Sequence, residues 1–258
     1  MRIIATSTQS IDDIDPDFSS FLAESQIAYV PRQKKSLDKI KAENQASAVI
    51  VWEATGPVMY LNGSKFFFHP SMAKVRISAF RKDGVLDPLI QACELKEDDY
   101  FLDCTLGLGA DSIVASYFTP RGRVVGVESS IAVSYIVKWG MQLYKSNMPW
   151  LQEAIQRIKV INQEHNQYLI GLDDNSFDIV YFDPMFRIPL MKSQAISPLR
   201  DAANSAALSE EAVLQACRVA RKKVVIKERK GSSEFERLKC TDIYGSSNNK
   251  IAYGIISV

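Results

Sequence analysis

Tyr100-Phe101-Leu102-Asp103-Cys104-Thr105-Leu106-Gly107-Leu108-Gly109-Ala110-Asp111 is the stretch on which the fold turns. An apolar run ends in an acidic residue, two glycines follow, and Ala110 opens a segment with helical periodicity as far as residue 118. Strand, glycine turn and helix in that order form the first unit of an open α/β sheet, where a ligand sits outside the carboxyl end of the strand. Gly107 and Gly109 lack the Cβ that would bar positive φ or hold a ligand off the backbone. Ser112 stands where a dinucleotide fingerprint has its third glycine, which speaks against a bound pyrophosphate.

The pattern downstream is regular. Strands are expected at residues 100–104, 123–128, 159–162, 177–183 and 223–227, and helices at 110–118, 131–144, 150–158, 166–170 and 233–238, with one more running from a Ser209 cap to 220. Residues 241–244 and 251–257 read as a closing hairpin. Alternating strands and helices predict a doubly wound, mostly parallel, seven-stranded sheet with an antiparallel C-terminal hairpin, occupying residues 71–258. On that sheet Asp103 and Thr105 suit the cationic amino-acid part of S-adenosylmethionine. Glu128 ends the next strand, where a carboxylate accepts both hydroxyls of a ribose, with Ser129 beside it. Glu164 and His165, one strand further on, are candidates for an adenine contact. Asp111 is a candidate ligand too, and equally a residue that the helix dipole favours unaided.

Upstream, residues 1–70 predict a small α/β subdomain to which the sequence assigns no chemistry. It reads as strands at 2–7, 28–31, 48–53, 58–61 and 65–69, with helices at 36–45 and 17–26, the latter with Asp17 in a capping position. Asn62-Gly63 fits a hairpin turn. His69 precedes Pro70 and is read as a turn or core residue. Helices follow at 71–82 and 86–95.

The chain has 258 residues, 47% hydrophobic and 24% charged, enough for a sizeable core. A net charge of +1 excludes global basicity as the basis of nucleic-acid binding, so any basic surface is local. Cys93, Cys104, Cys217 and Cys240 show no C-x-x-C spacing, and with only His69 and His165 they build no zinc or disulfide framework. The start of the chain does not read as a signal peptide, and no stretch approaches the roughly 20 apolar residues of a membrane span. A cytoplasmic location is therefore expected, with no membrane partner; oligomeric state stays open.

Phe177-Asp178-Ile179-Val180-Tyr181-Phe182-Asp183-Pro184-Met185-Phe186 carries the chemistry. An apolar strand ends in Asp-Pro-x-aromatic, the place where methyltransferases acting on ring-attached amines carry an Asp/Asn-Pro-Pro-aromatic motif. The lone pair of such an amine is delocalised into the ring, making it a poor nucleophile. A carboxylate and a proline-stiffened carbonyl can hold its protons and aim it, while the aromatic side chain stacks on the base.

With 103–111, with 125–130 and with 222–227, this motif resembles the bacterial small-subunit ribosomal RNA methyltransferases that modify the 2-amino group of guanine. The resemblance spans about residues 99–230 and implies Asp183 as catalytic acceptor, Pro184 and Phe186 beside it, S-adenosylmethionine as cofactor and ribosomal RNA as partner. That family follows the motif with Pro-His and a lysine-rich stretch, whereas here Arg187-Ile188-Pro189-Leu190-Met191-Lys192 stands, implying fewer phosphate contacts. Basic clusters at Arg32, Lys34 and Lys35, at Lys74, Arg76, Arg81 and Lys82, and at Arg218, Arg221, Lys222 and Lys223 could track phosphates if they share the cleft side with Arg187, Lys192 and Arg200. Rival readings are a methyltransferase of proteins or small molecules, a nucleotide-dependent oxidoreductase, and a non-catalytic RNA-binding factor.

Overall fold

A computed structural model describes residues 2–7, 15–184, 207–245 and 250–258. The larger sheet is built on β6 (Tyr100–Asp103), β7 (Arg123–Glu128), β8 (Ile158–Asn162), β9 (Phe177–Phe182), β10 (Ala220–Arg229), β11 (Asp242–Tyr244) and β12 (Ile251–Ser257). Its strand order is β11-β12-β10-β9-β6-β7-β8. The chain winds outward from β6 through β7 to β8, then crosses back to β9 and β10. The order therefore reverses between β6 and β9, and the crevice that such a reversal opens lies at their carboxyl ends. Pairings among β6 to β10 are parallel, and β12 runs antiparallel to both β10 and β11.

Helices cover both faces, which is why the central strands are apolar throughout rather than alternating. Phe101, Val124, Ile179, Tyr181 and Val225 pack with Leu89, Ala92 and Cys93 of α4 (Pro88–Cys93) and Ala115 of α5 (Ala110–Phe118). Their neighbours Leu102, Val125, Val180, Phe182, Val224 and Ile226 face the other way, onto Leu169 of α8 (His165–Ile170) and Ala212, Val213 and Ala216 of α9 (Glu210–Val219). β10 is longer than the apolar run at 223–227. Bonded on both sides, it continues from Ala220 to Arg229, with an irregularity between Ala220 and Lys223.

The smaller sheet has the order β2-β1-β3-β4-β5, from β1 (Ile3–Ser7), β2 (Ala28–Tyr29), β3 (Ala48–Glu53), β4 (Gly56–Leu61) and β5 (Ser64–Phe66). Asn62 and Gly63 turn the β4–β5 hairpin with φ of 49° and 75°. The cap of α1 (Pro16–Ser25) is Asp15 rather than Asp17: its carboxylate accepts the N–H of Asp17 at 2.8 Å. Pro16 explains the shift, because proline at the first helical position has no N–H to cap. β2 keeps two of the four residues expected of it. His69, half-buried, has its ring 5.4 Å from that of Phe67.

This sheet shares a core with α6 (Ile131–Leu143) of the larger layer. Phe18, Phe21, Trp52, Met59, Phe66 and Phe68 form one cluster with Val133, Ile136, Val137, Trp139 and Met141. Trp52 meets Trp139 edge-on at 5.7 Å, and Glu24 accepts the indole N–H of Trp139 at 3.1 Å. No described helix is long and apolar enough to cross a membrane.

Candidate active site

The loop leaving β6 is shaped from beneath by Asp103. Its carboxylate, with the residue only 1% exposed, accepts the N–H of Thr105 at 3.0 Å and the hydroxyl of Ser112 at 2.6 Å. Burial pushes this carboxyl up to about 7. Gly107 and Gly109 sit at φ of 49° and 75°, and a Cβ on Gly109 would come within 2.4 Å of Met141 Cε. α5 begins at Gly109 with no side chain capping it, so the loop presents glycine and helix N-terminus together.

Glu128, at the end of β7, closes one side of the loop. One oxygen accepts the N–H of Gly107 at 3.2 Å and the other that of Ser130 at 2.8 Å. Ser129 bears on the same carboxylate through its N–H and its hydroxyl. Burial raises the carboxylate's proton affinity above the ordinary glutamate value. At the tip of β8, Glu164 caps α8 through the N–H of Gln167 at 3.1 Å. His165 lies edge-on against Phe182 at 5.7 Å, and burial lowers its pKa.

The tip of β9 brings Asp183 to this loop. Its backbone N–H donates to Thr105 Oγ1 at 2.6 Å, and Lys227 Nζ donates to its Oδ2 at 2.7 Å. The pleat accounts for the second contact. Ile226 is in register with Phe182, so Lys227 and Asp183 are the next cross-strand neighbours, on the face that carries Tyr181 and Val225. Lys227 also reaches Asp111 Oδ2 at 2.9 Å, which accepts the Tyr181 hydroxyl at 2.9 Å, while Arg76 of α3 (Ser71–Asp83) holds Asp111 Oδ1.

Burial and the neighbouring Asp111 push Asp183 up to about 6 against the pull of Lys227. Burial would raise Asp111 as well, but Lys227 and Arg76 together hold it below the usual carboxylate range. The carboxylates keep Lys227 charged despite its burial.

Asp103, Thr105, Gly107, Gly109, Asp111, Glu128 and Asp183 thus gather at the carboxyl edge of adjacent strands, with Ser129, Glu164 and His165 further along that edge. Pro184 follows Asp183; Phe186, and Arg187, Lys192 and Arg200 with it, lie outside the described residues. Arg76 and Lys227 belong to the cluster in a way the sequence does not assign: Arg76 reads as part of a basic cluster that could track phosphates, and Lys227 only as the end of the 222–227 segment. A lysine after three buried aliphatics in a strand is the signal for Lys227; nothing in the basic cluster distinguishes Arg76 from its neighbours. The basic cluster at 218–223 is not on the cleft side. It opens β10 at the opposite sheet edge, where Arg218 pairs Asp174, Arg221 pairs Asp178, Lys222 pairs Asp99 and Lys223 pairs Glu94.

Residues 67–250 match the model of a family described as "Putative SAM-dependent methyltransferase". Uncharacterized protein YpiP of Bacillus subtilis is 39% identical over 215 residues, covering 83% of this chain and 83% of that protein. Ribosomal RNA small subunit methyltransferase J of Acinetobacter baylyi is 32% identical over 100 residues, 38% of this chain and 36% of that protein. Its counterpart in Psychrobacter arcticus is 24% identical over 185 residues, 65% of this chain and 60% of its own length. Among solved structures, the SAM-dependent methyltransferase NGO1261 of Neisseria gonorrhoeae superposes with a TM-score of 0.65 at 18% identity, over 99% of this chain and 95% of that one, a likeness of fold. The residues present fit S-adenosylmethionine: a glycine loop at an uncapped helix N-terminus, and a buried acidic residue at the neighbouring strand end.

Proposed function

This chain belongs to the S-adenosylmethionine-dependent methyltransferases whose family model spans residues 67–250, and we propose that it methylates an exocyclic amine of a nucleobase in RNA, the 2-amino group of guanine in small-subunit ribosomal RNA. The observation that carries this reading is the placement of Asp183, followed by Pro184, against the glycine loop through Thr105 Oγ1. The partial matches to proteins named ribosomal RNA small subunit methyltransferase J support an RNA substrate.

In this reading Glu128 holds the ribose hydroxyls of the cofactor, and Gly107 and Gly109 let it lie against the backbone. Asp103 and Thr105 keep the loop in shape around its amino-acid part, Asp111 lines the same cleft, and Ser129, Glu164 and His165 flank the adenine. S-adenosylmethionine supplies an electrophilic methyl group on a sulfonium. Asp183 accepts an N–H of the amine, which turns the lone pair toward that methyl, and would take up the proton released as the new C–N bond forms and the methyl's bond to sulfur breaks, leaving a neutral thioether. Pro184 stiffens the backbone carbonyl that holds the second N–H, and Phe186 stacks on the base. Positioning and electrostatics carry the catalysis.

The test is mass spectrometry of modified nucleosides in ribosomal RNA from cells with and without the protein. A 2-amino-methylated guanosine that disappears on deletion, returns with the intact gene and stays absent with Asp183→Ala is the expected result. Unchanged RNA nucleosides, with labelled methyl entering protein or a small metabolite, would overturn the RNA reading.

A further inference from the structure

Behind Asp183 stands a row of alternating charge. Both oxygens of Asp87, which caps α4, hold the guanidinium of Arg76 at 2.8 Å; Arg76 holds Asp111; Asp111 and Asp183 share Lys227 at 2.9 and 2.7 Å. Alternation compensates charges that burial would otherwise penalise heavily. Exposure is greatest at the cleft end: the side chains of Asp87, Arg76, Asp111 and Lys227 keep 6%, 20%, 9% and 16% of their surface, whereas Asp183 keeps 29%.

We propose that Lys227 is a positioning residue of the methyl transfer: it pins Oδ2 of Asp183 and keeps that carboxylate ionised, leaving Oδ1 for the amine, while Asp111 and Arg76 hold Lys227 in place. The inference rests on the reading of Asp183 as amine acceptor. Lys227 is well placed for the task because it approaches from the adjacent strand, one residue beyond the Ile226–Phe182 pair, so the sheet itself sets the distance. Among the described residues, the groups around Asp183 are Lys227 on β10, Asp111 on α5 with Arg76 behind it, Asp103 at the tip of β6, Tyr181 on β9 and, across Lys227, Tyr253 on β12. Of these, Lys227 favours the ionised carboxylate and Asp111 opposes it.

Mere charge compensation and positioning differ in what they predict for pH. The experiment follows transfer of labelled methyl to small ribosomal subunits from cells lacking the protein, as kcat/KM from pH 5 to 9, with calorimetry of S-adenosylhomocysteine alongside. In Lys227→Met the acid limb moves to higher pH by at least one unit and kcat at pH 7 falls at least tenfold, while the cofactor Kd stays within about threefold; Lys227→Arg brings the limb back. In Asp111→Asn, which keeps Lys227, the limb moves the opposite way, to lower pH, and that shift is readable even if Lys227→Met does not fold. Limbs that stay in place in the folded variants, or that shift together in one direction, overturn the role of Lys227. If Asp183→Ala leaves turnover intact, the amine-acceptor reading fails instead.

Discussion

The hydroxyl oxygen of Thr105 accepts the backbone N–H of Asp183 at 2.6 Å, tying the tips of two strands that lie 78 residues apart in the chain. The glycine loop and the acidic residue are held as one piece, so in the proposed reading the distance between a methyl donor on one and an amine on the other is set before either binds. Thr105→Val keeps the shape and removes the acceptor. It is expected to cost about 1–3 kcal/mol of stability by leaving the N–H unpaired, and to lower kcat more than it weakens cofactor binding. Equal effects on both, measured by steady-state kinetics and calorimetry, would count against a shared scaffold.

Asp183→Ala removes the proposed amine acceptor but none of the groups assigned to the cofactor. Turnover is expected to fall roughly 10²–10⁴-fold, the range for a positioned acid or base, with S-adenosylhomocysteine affinity changed only a few-fold. Single-turnover methyl transfer decides it, and a variant of near-normal rate would dismiss the assigned role.

The pH dependence follows from the same group. With its pKa pushed up to about 6, Asp183 is a carboxylate above that value and a carboxylic acid below it. In the proposed role only the carboxylate can take up the proton that the amine releases, so kcat/KM is expected to fall as pH drops through about 6, approaching tenfold per unit. A profile flat down to pH 5 would argue for another acceptor.

Glu128→Gln trades a two-oxygen anion for one acceptor and one donor, against the N–H groups of Gly107 and Ser130 as well as the ribose. Hydrogen bonds to charged groups are worth about 1.5–3 kcal/mol, so the Kd for S-adenosylhomocysteine should rise roughly ten- to hundredfold. Calorimetry measures this directly; unaltered affinity would remove Glu128 from the ribose.

Gly140→Ala tests the joint between the sheets. A Cβ there would lie 2.2 Å from Phe68 Cβ and 2.9 Å from its Cγ, close to a backbone that cannot swing aside. Overpacking of this kind costs about 1–3 kcal/mol. Urea unfolding should show the loss in a single transition, since both sheets contribute to the core at α6. Undiminished stability would mean that the joint is loose.

Residue order alone carried the parallel sheet, the glycine turn and the strand-end acid Glu128. The helices expected at 110–118 and 131–144, the latter ending at Leu143, and the cap Ser209 were legible for the same reason. Periodicity, caps and turns are written by near neighbours. What only the tertiary structure decided was which charges meet. Lys227 finds Asp111 across 116 residues, Arg76 finds Asp111 across 35, and Trp139 joins the first sheet through Glu24 across 115. The 218–223 cluster looked equally able to serve the cleft, yet it stands at the opposite end of β10. Such pairings depend on strand register and on helix placement across the sheet, and a side chain's own neighbours in sequence exert no force that selects them.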